Sequence, residues 1–550
     1  MALDNGFDVV VVGGGSAGCV LANRLSADPA CRVLLLEAGR DARHFWLRLP
    51  VGYFRSIYDP RFTWQFPLEP EASTGSRAIA WPRGKALGGS SVVNGLLYIR
   101  GQPADFDDWA NVHGARGWSY REVLPFFKRS ERYEGGENEW HGARGELGVS
   151  DLRNDHSYCE AWLAAGVQAG HPFTSDFNGA HSDGLGRYQL TLRGRWRCDA
   201  ATAFLAPVRQ RPNLVVATAA HVTRVVVEHG RAVGVEYVVN GQRLSTRADR
   251  EVILAAGALQ SPQLLQLSGV GPPELLARHG IAVAADAPDV GRNLQDHYQA
   301  RVIVKLKEKR SLNDDVRNPL RLAQMGAQWL FAQRGPLTVG AGQVGGVVAS
   351  EHARGDRADV LLNVMPLSVD KPGDPLHRFS GFSASAAQCR PESTGSVEIA
   401  SADPLAPPRI RAGYLSDPLD AKVLVAGLKM LREIYAQPAF RRLVTGEEYL
   451  PGNDLTTDTG LEAFARARGG TVFHPAGTCR MGGDARSVVD ERLRVRGVER
   501  LRVIDASVMP RVVSTNTNAA AIMIGEKGAA LVLEDAGSGA AARPGGRAAA

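Results

Sequence analysis

The sequence predicts an α/β chain: a Rossmann-like nucleotide-binding domain interleaved with an α+β domain built on an antiparallel sheet. Three observations carry this. Residues 7–18 read Phe-Asp-Val-Val-Val-Val-Gly-Gly-Gly-Ser-Ala-Gly, a β-branched run suited to a strand buried on both faces, with glycines at G-x-G-x-x-G spacing. A second strand, glycine turn and helix stand at 250–271. Strand-like runs at 300–306, 359–365 and 379–387 lack any glycine fingerprint, which suits antiparallel pairing.

In the first unit, Gly13 makes the tight turn, Gly15 lets the backbone approach a pyrophosphate, and Gly18 allows close helix–strand packing. Val20, Leu21, Arg24 and Leu25 continue a helical pattern, and 32–36 form a second buried strand that ends at Glu37. The helix N-terminus offers free N–H groups to phosphates. A carboxylate at Glu37 suits a ribose diol and disfavours a 2′-phosphate, which leaves NAD or FAD. The stretch itself does not choose between them.

Residues 41–80 carry proline, aromatic residues and charge without a long periodic element, as an extended connection over a ligand would. A second Gly/Ser-rich segment at 81–95 is too polar for a core strand, and its glycines would turn backbone N–H groups toward a polar ligand edge. Helical patterns at 120–132 and 158–169 read as parts of a cap. Strands are expected at 214–217, 222–227 and 232–239, with His229-Gly230 as a turn. The next strand spans 250–256, after which Ser261 and Pro262 look like an N-cap and first helical residue. A helix near 420–435 falls in the second domain, and a last one covers 519–534.

The domain reading is therefore 5–300 for the first part of the nucleotide domain, with insertions at about 41–80 and 101–205. Residues 301–465 form a substrate domain, 466–535 return to the nucleotide domain, and 536–550 have little to bury and read as a disordered tail.

At 550 residues, two domains are the natural expectation. Hydrophobic residues at 44% and charged residues at 22% are ordinary for a soluble enzyme. The basic excess, 64 against 58, is small and scattered, which argues against a nucleic-acid partner. Six cysteines lie far apart with no C-x-x-C pair, so neither a metal site nor a disulfide framework is expected and a reducing compartment fits. The first strand begins too early to leave room for a secretory segment, and no apolar run approaches ~20 residues. The expected location is cytoplasmic; peripheral contact with a membrane stays compatible with this composition.

Four separated segments resemble one family, the glucose-methanol-choline (GMC) flavin oxidoreductases. Residues 84–107, with Gly-Lys-x-Leu-Gly-Gly-Ser-Ser-x-Val-Asn and then Tyr98, Gly101 and Asp107, are similar to its first signature. Residues 257–271, with Gly-Ala-x-x-Ser-Pro-x-Leu-Leu-x-x-Ser-Gly-Val-Gly, are similar to its second. The N-terminal fingerprint and the 474–518 region supply the others. The resemblance implies FAD as cofactor. It places Gly13, Gly15, Ser16, Gly18, Glu37 and Ala38 at the ADP half and the Val222 backbone at the adenine. Arg83, Gly84, Gly89, Asn94, Gly95 and Leu97 lie along the pyrophosphate and ring, and Asp505, Ala506, Asn516 and Thr517 close the flavin site. Members that bind flavin covalently do so through a His where this chain has Val93, so the resemblance implies noncovalent FAD.

His474, in His-Pro-Ala-Gly-Thr-Cys-Arg-Met-Gly, matches the family's catalytic base, and Asn516 matches a position that holds His or Asn. Removing an alcohol proton while hydride leaves the α-carbon needs a group that titrates near working pH. An Asn can hydrogen-bond the oxygen but cannot act as base. Phe473 is expected as an apolar wall beside the base. The resemblance thus implies oxidation of a primary alcohol to an aldehyde, with electrons passed to a quinone, a dye-like acceptor or O₂. An oxidase, a choline dehydrogenase and, further off, a flavin lyase or photodecarboxylase are the alternatives. Choline would need a carboxylate or aromatic cage, for which Trp64, Tyr53 and Glu69 are candidates.

Overall fold

The computed structural model describes residues 6–41, 43–371 and 373–541. Its centre is the strand Phe7–Val12, where Val10 and Val11 are fully buried, as the unbroken β-branched run requires. This strand pairs in parallel with Val33–Leu36 on one side and with the end of Gln242–Leu254 on the other. Leu214–Ala217 and Leu501–Val503 extend the parallel sheet at its two edges. The return of the chain at 501 to a sheet begun at 7 is the physical content of the interleaving.

The helix Ser16–Leu25 lies directly on this sheet. A Cβ added at Gly18 would stand 1.9 Å from the Gly13 carbonyl oxygen, so the close approach admits only glycine. The closing helix Thr517–Ala541 packs across Ser16–Leu25. Arg24 links the two by pairing with Glu526 at 2.6 Å while also holding Glu146.

Three differences from the sequence expectations have clear causes. The strand expected at 250–256 runs Gln242–Leu254, because its first half is the third strand of an antiparallel meander with Ala220–Glu228 and Arg231–Val239. His229 and Gly230 both take positive φ in the turn of that meander. The helix after it spans Gly257–Leu267, with Ser261 and Pro262 inside rather than at its start. Its first N–H groups meet a remote carboxylate instead: Asp505 Oδ2 accepts from the Gly257 N–H at 2.8 Å and from the Ser261 hydroxyl at 2.5 Å. The last helix continues to Ala541, into the stretch read as a disordered tail, and residues 542–550 lie outside those described.

The second sheet is antiparallel in the order Val444–Leu450, Tyr298–Leu306, Gly381–Gln388, Val360–Met365, Val344–Val348, Gly184–Arg187. Its edge strand Gly184–Arg187 comes from the 101–205 insertion, so that segment both covers the nucleotide domain and completes the other sheet. Helix Pro418–Ala436 packs on one face, close enough that a Cβ at Gly427 would meet the Ala386 Cβ at 2.7 Å. The six cysteines are buried and free. Among the described residues no helix is long and apolar enough to cross a membrane.

Gly18→Ala is expected to lower the melting temperature by several degrees in calorimetry, because the clash is with backbone. Gly14→Ala should cost less, since its added Cβ would meet mainly the movable end of Leu87 at 2.9 Å. Equal losses in the two variants would contradict the packing role of Gly18.

Candidate active site

A groove crosses the carboxyl ends of the parallel strands, where open α/β sheets bind ligands. At one end stand Glu37, Ala38, Val222, His221 and Trp64; at the other stand Arg83, Ser90 and Ala506. There it joins a cavity of about 210 Å³ between the two sheets. Gly15, the N-cap of the first helix, has no side-chain cap, which leaves first-turn N–H groups free to face a phosphate. Gly89 takes positive φ, and a Cβ there would stand 2.6 Å from the Gly15 Cα. The two glycine loops therefore meet along the groove floor without side chains between them. Glu37 is held in place by accepting from Gly14 N–H at 2.8 Å and Gly39 N–H at 2.7 Å. An elongated groove with a carboxylate at one end, uncapped N–H groups midway and a cavity beyond has the shape and donor set of a dinucleotide site.

The cavity holds the candidate chemistry. His474 Nε2 and Asn516 Nδ2 are 3.0 Å apart, and on the far side of the imidazole His474 Nδ1 meets His297 Nδ1 at 2.9 Å. His297 Nε2 in turn faces the Cys389 carbonyl at 2.8 Å. A carbonyl only accepts, so His297 carries its proton on Nε2 and offers a lone pair at Nδ1. His474 must then donate from Nδ1, which leaves the Nε2 lone pair on the cavity side, facing Asn516 Nδ2 at 3.0 Å. The same assignment turns the amide N–H of Asn516 toward that lone pair and leaves Asn516 Oδ1 buried without a partner among the described residues. Burial, with His297 and Arg83 nearby, holds the His474 imidazole well below its ordinary range. It is a neutral base with its acceptor nitrogen already aimed.

The loop that carries His474 is clamped. Phe473 takes positive φ at 68°, a strained conformation for an aromatic residue. Its N–H donates to Thr471 Oγ1 at 2.7 Å, its carbonyl accepts from Arg83 Nη1 at 2.8 Å, and the next N–H, of His474, donates to Asp296 Oδ1 at 2.6 Å. Asp296 also accepts from Thr471 at 2.6 Å and from the Tyr414 hydroxyl. Burial raises its carboxyl to about 6. Across the cavity, Arg197 holds Asn94 by its side chain at 2.6 Å and its carbonyl at 2.8 Å, so the Gly/Ser-rich segment at 81–95 is fixed as well.

Gly13, Gly15, Ser16, Glu37, Ala38, Arg83, Gly84, Gly89, Val222, Asp505 and Ala506 all line the groove. Asn94, Gly95, Leu97, His474, Asn516 and Thr517 line the cavity, as do Val93 and Phe473. Gly18 lies beneath, in its packing role. Asp505 presents backbone, since its carboxylate is spent on Gly257, Ser261 and the Ser507 N–H. The three cage candidates do not converge: Tyr53 lines the cavity, Trp64 lies at the Glu37 end of the groove, and Glu69 is on the surface with Arg409 and Arg411. Sequence reasoning missed His297, Asp296, Thr471 and Arg197. The one legible signal was the Asp296-His297 pair placed just before a strand.

Models of the N- and C-terminal domains of one family match residues 7–299 and 391–525, and both carry the description GMC oxidoreductase. The chain belongs to the GMC oxidoreductase family. It is 39% identical to an alcohol dehydrogenase [acceptor] of Pseudomonas putida, over 96% of both chains. It is also 39% identical to a mitochondrial choline dehydrogenase of Mus musculus, over 96% of this chain and 89% of the other. Among solved structures it is similar to a pyridoxine 4-oxidase from Mesorbium loti, with a TM-score of 0.86 and 30% identity over 96% of this chain and 99% of that one. In this GMC oxidoreductase the matched N-terminal segment contains His297 and most of the groove lining, and the matched C-terminal segment contains His474, Asn516 and the groove residues Asp505 and Ala506.

Burial raises the Glu37 carboxyl from 4.5 to about 7, against the pull of the two N–H donors. Folding thus favours its protonated form: the stabilising contribution is complete below about pH 4.5 and is lost as pH rises through 7. The cofactor-free protein should melt at lower temperature as pH rises across that window, and Glu37→Gln should show a shallower slope in scanning calorimetry. Parallel slopes would contradict the assignment.

Proposed function

We propose that this protein oxidises a primary alcohol to an aldehyde with noncovalently bound FAD, and that it passes the electrons to a quinone or dye-like acceptor. The observation that carries the reading is the pairing of an aimed, neutral His474 Nε2 with the Asn516 amide in one cavity. FAD, when bound, supplies the acceptor for the hydride that leaves the alcohol carbon. The groove residues would hold its ADP half at Glu37 and the first helix, and the cavity residues its ring. Val93, apolar and buried, offers no nucleophile for a covalent flavin link.

A substrate hydroxyl that displaces the direct bond between His474 and Asn516 donates to Nε2 and accepts from the amide N–H. As the carbon–hydrogen bond breaks, His474 takes the hydroxyl proton, and Asn516 keeps its bond to an oxygen of rising charge, a contact worth about 3 kcal/mol when removed. His297 keeps His474 in the base tautomer throughout by accepting from Nδ1. The P. putida relative supports a dehydrogenase acceptor, and the M. loti neighbour marks the oxidase alternative. Exposed apolar side chains along one helical stretch, Leu320, Leu322, Leu330 and Phe331, support peripheral membrane contact, which suits a quinone acceptor. Choline is disfavoured because no carboxylate lines the cavity among the described residues and the candidates Trp64, Tyr53 and Glu69 stand apart.

Anaerobic mixing with primary alcohols is expected to bleach the flavin absorbance, and His474→Ala should slow this by roughly 10²- to 10⁴-fold. His297→Phe should slow it less and alter its pH profile, while His297→Gln, which restores an acceptor, should recover part of the rate. Full bleaching by His474→Ala would sink the base assignment.

Acid precipitation should leave FAD in the supernatant and a colourless pellet. A yellow pellet would contradict noncovalent binding.

A further inference from the structure

The cavity beside His474 carries an unused cation. Arg301, on strand Tyr298–Leu306, lines both this cavity and the wider vestibule outside it. Its only side-chain hydrogen bond among the described residues is a long one, 3.4 Å from Nη1 to the Asp370 carbonyl. It forms no ion pair within 4 Å with a described residue. Burial lowers its affinity for a proton, and the Asp370 carboxylate and the hydroxyls of Tyr58 and Tyr53 act the other way.

Sheet register places two further polar groups beside it. Arg301 stands opposite Ser385, and Ser385 opposite Asn363, on three adjacent antiparallel strands. Directly opposed residues project from the same face, and all three line the cavity. Neither the Ser385 hydroxyl nor the Asn363 amide has a hydrogen-bond partner among the described residues, although Ser385 is buried. Guanidinium, hydroxyl and amide therefore form a row of unused donors in a cavity whose charged lining is Arg83 and Arg301, with no carboxylate. The vestibule adds Arg77, Lys371 and Arg468 against Asp370 and Asp374. Tyr53, Ile57, Val93, Met365 and Phe473 give the rest of the cavity an apolar lining.

We propose that Arg301, with Ser385 and Asn363, is a carboxylate-binding subsite, and that the substrate is a primary alcohol with a carboxylate separated from its hydroxyl by an apolar spacer. The planar guanidinium fork matches a carboxylate bidentately. Asp370 on the outer side of Arg301 limits the local positive charge, which suits a monoanion better than a dianionic phosphate. The proposal rests on the alcohol-oxidising reading above for the hydroxyl end only; the anion site stands on its own geometry.

The test uses FAD-loaded enzyme with hexanoate as a non-oxidisable probe, and with 6-hydroxyhexanoate and 1-hexanol as substrates. Calorimetry should show hexanoate binding that weakens roughly 10- to 100-fold in Arg301→Met, the range expected for a lost charge-assisted pair, and that is partly kept in Arg301→Lys. The wild-type kcat/KM should favour 6-hydroxyhexanoate over 1-hexanol, and Arg301→Met should collapse that ratio. Equal hexanoate affinity in wild type and Arg301→Met, or no preference for the hydroxy acid, overturns the subsite. Tighter binding of hexyl phosphate than of hexanoate overturns the carboxylate assignment. Arg301-dependent hexanoate binding without turnover of any alcohol supports the subsite and removes the alcohol reading instead.

Discussion

The buried carboxylate of Asp296 is the constraint on which the candidate active site depends. It sits just before the strand Tyr298–Leu306 and accepts from the His474 N–H, from Thr471 and from Tyr414. Together with the Thr471 and Arg83 bonds to the Phe473 backbone, these bonds offset the strained φ of Phe473 and fix the aim of the imidazole. The residue after Asp296 is His297, which sets the tautomer of His474. One short stretch, 296–297, thus fixes both the place and the protonation pattern of the base.

A second constraint runs from the other end of the chain. The glycines of the first turn let the helix Ser16–Leu25 lie against the sheet with its N-terminus bare, and the closing helix Thr517–Ala541 packs on the same helix. Asn516 stands immediately before that closing helix. The position of one candidate catalytic residue is therefore set by contacts with the fingerprint that heads the chain, and the other is set by the second sheet through Asp296. The reacting site lies where these two supports meet, so its geometry requires both domains to be docked.

The parts legible in sequence were those where local chemistry is self-contained. The run at 7–18, the Gly/Ser-rich loop at 84–95 and the His474 and Asn516 segments each carry their own pattern, and all line the groove or cavity. What stayed hidden depends on partners far along the chain. Ser261 looks like an N-cap because its neighbours in sequence permit it, but a carboxylate from position 505 serves that helix. The polar half of Gln242–Leu254 gave no strand signal because its pairing is with an exposed meander. His297 and Arg197 are single residues without periodicity, and their roles appear only once His474 and Asn94 are within hydrogen-bond reach. Trp64, Tyr53 and Glu69 show the converse: suitable residue types, close in sequence, that tertiary structure sends to three places.

The charge of the site ties these features together. Arg83 is half-buried and bonds the Phe473 carbonyl, and its positive charge acts on two nearby groups in opposite senses. It adds to burial and to His297 in disfavouring imidazolium at His474, which keeps the imidazole neutral. The same field lowers the cost of negative charge on a hydroxyl oxygen held between His474 and Asn516. A base with a low proton affinity is a weak one in isolation, so proton transfer to it becomes favourable only as the oxygen charge is stabilised and the carbon hydride departs. On the proposed reading, a cationic cavity with a neutral imidazole would couple removal of the proton to loss of the hydride.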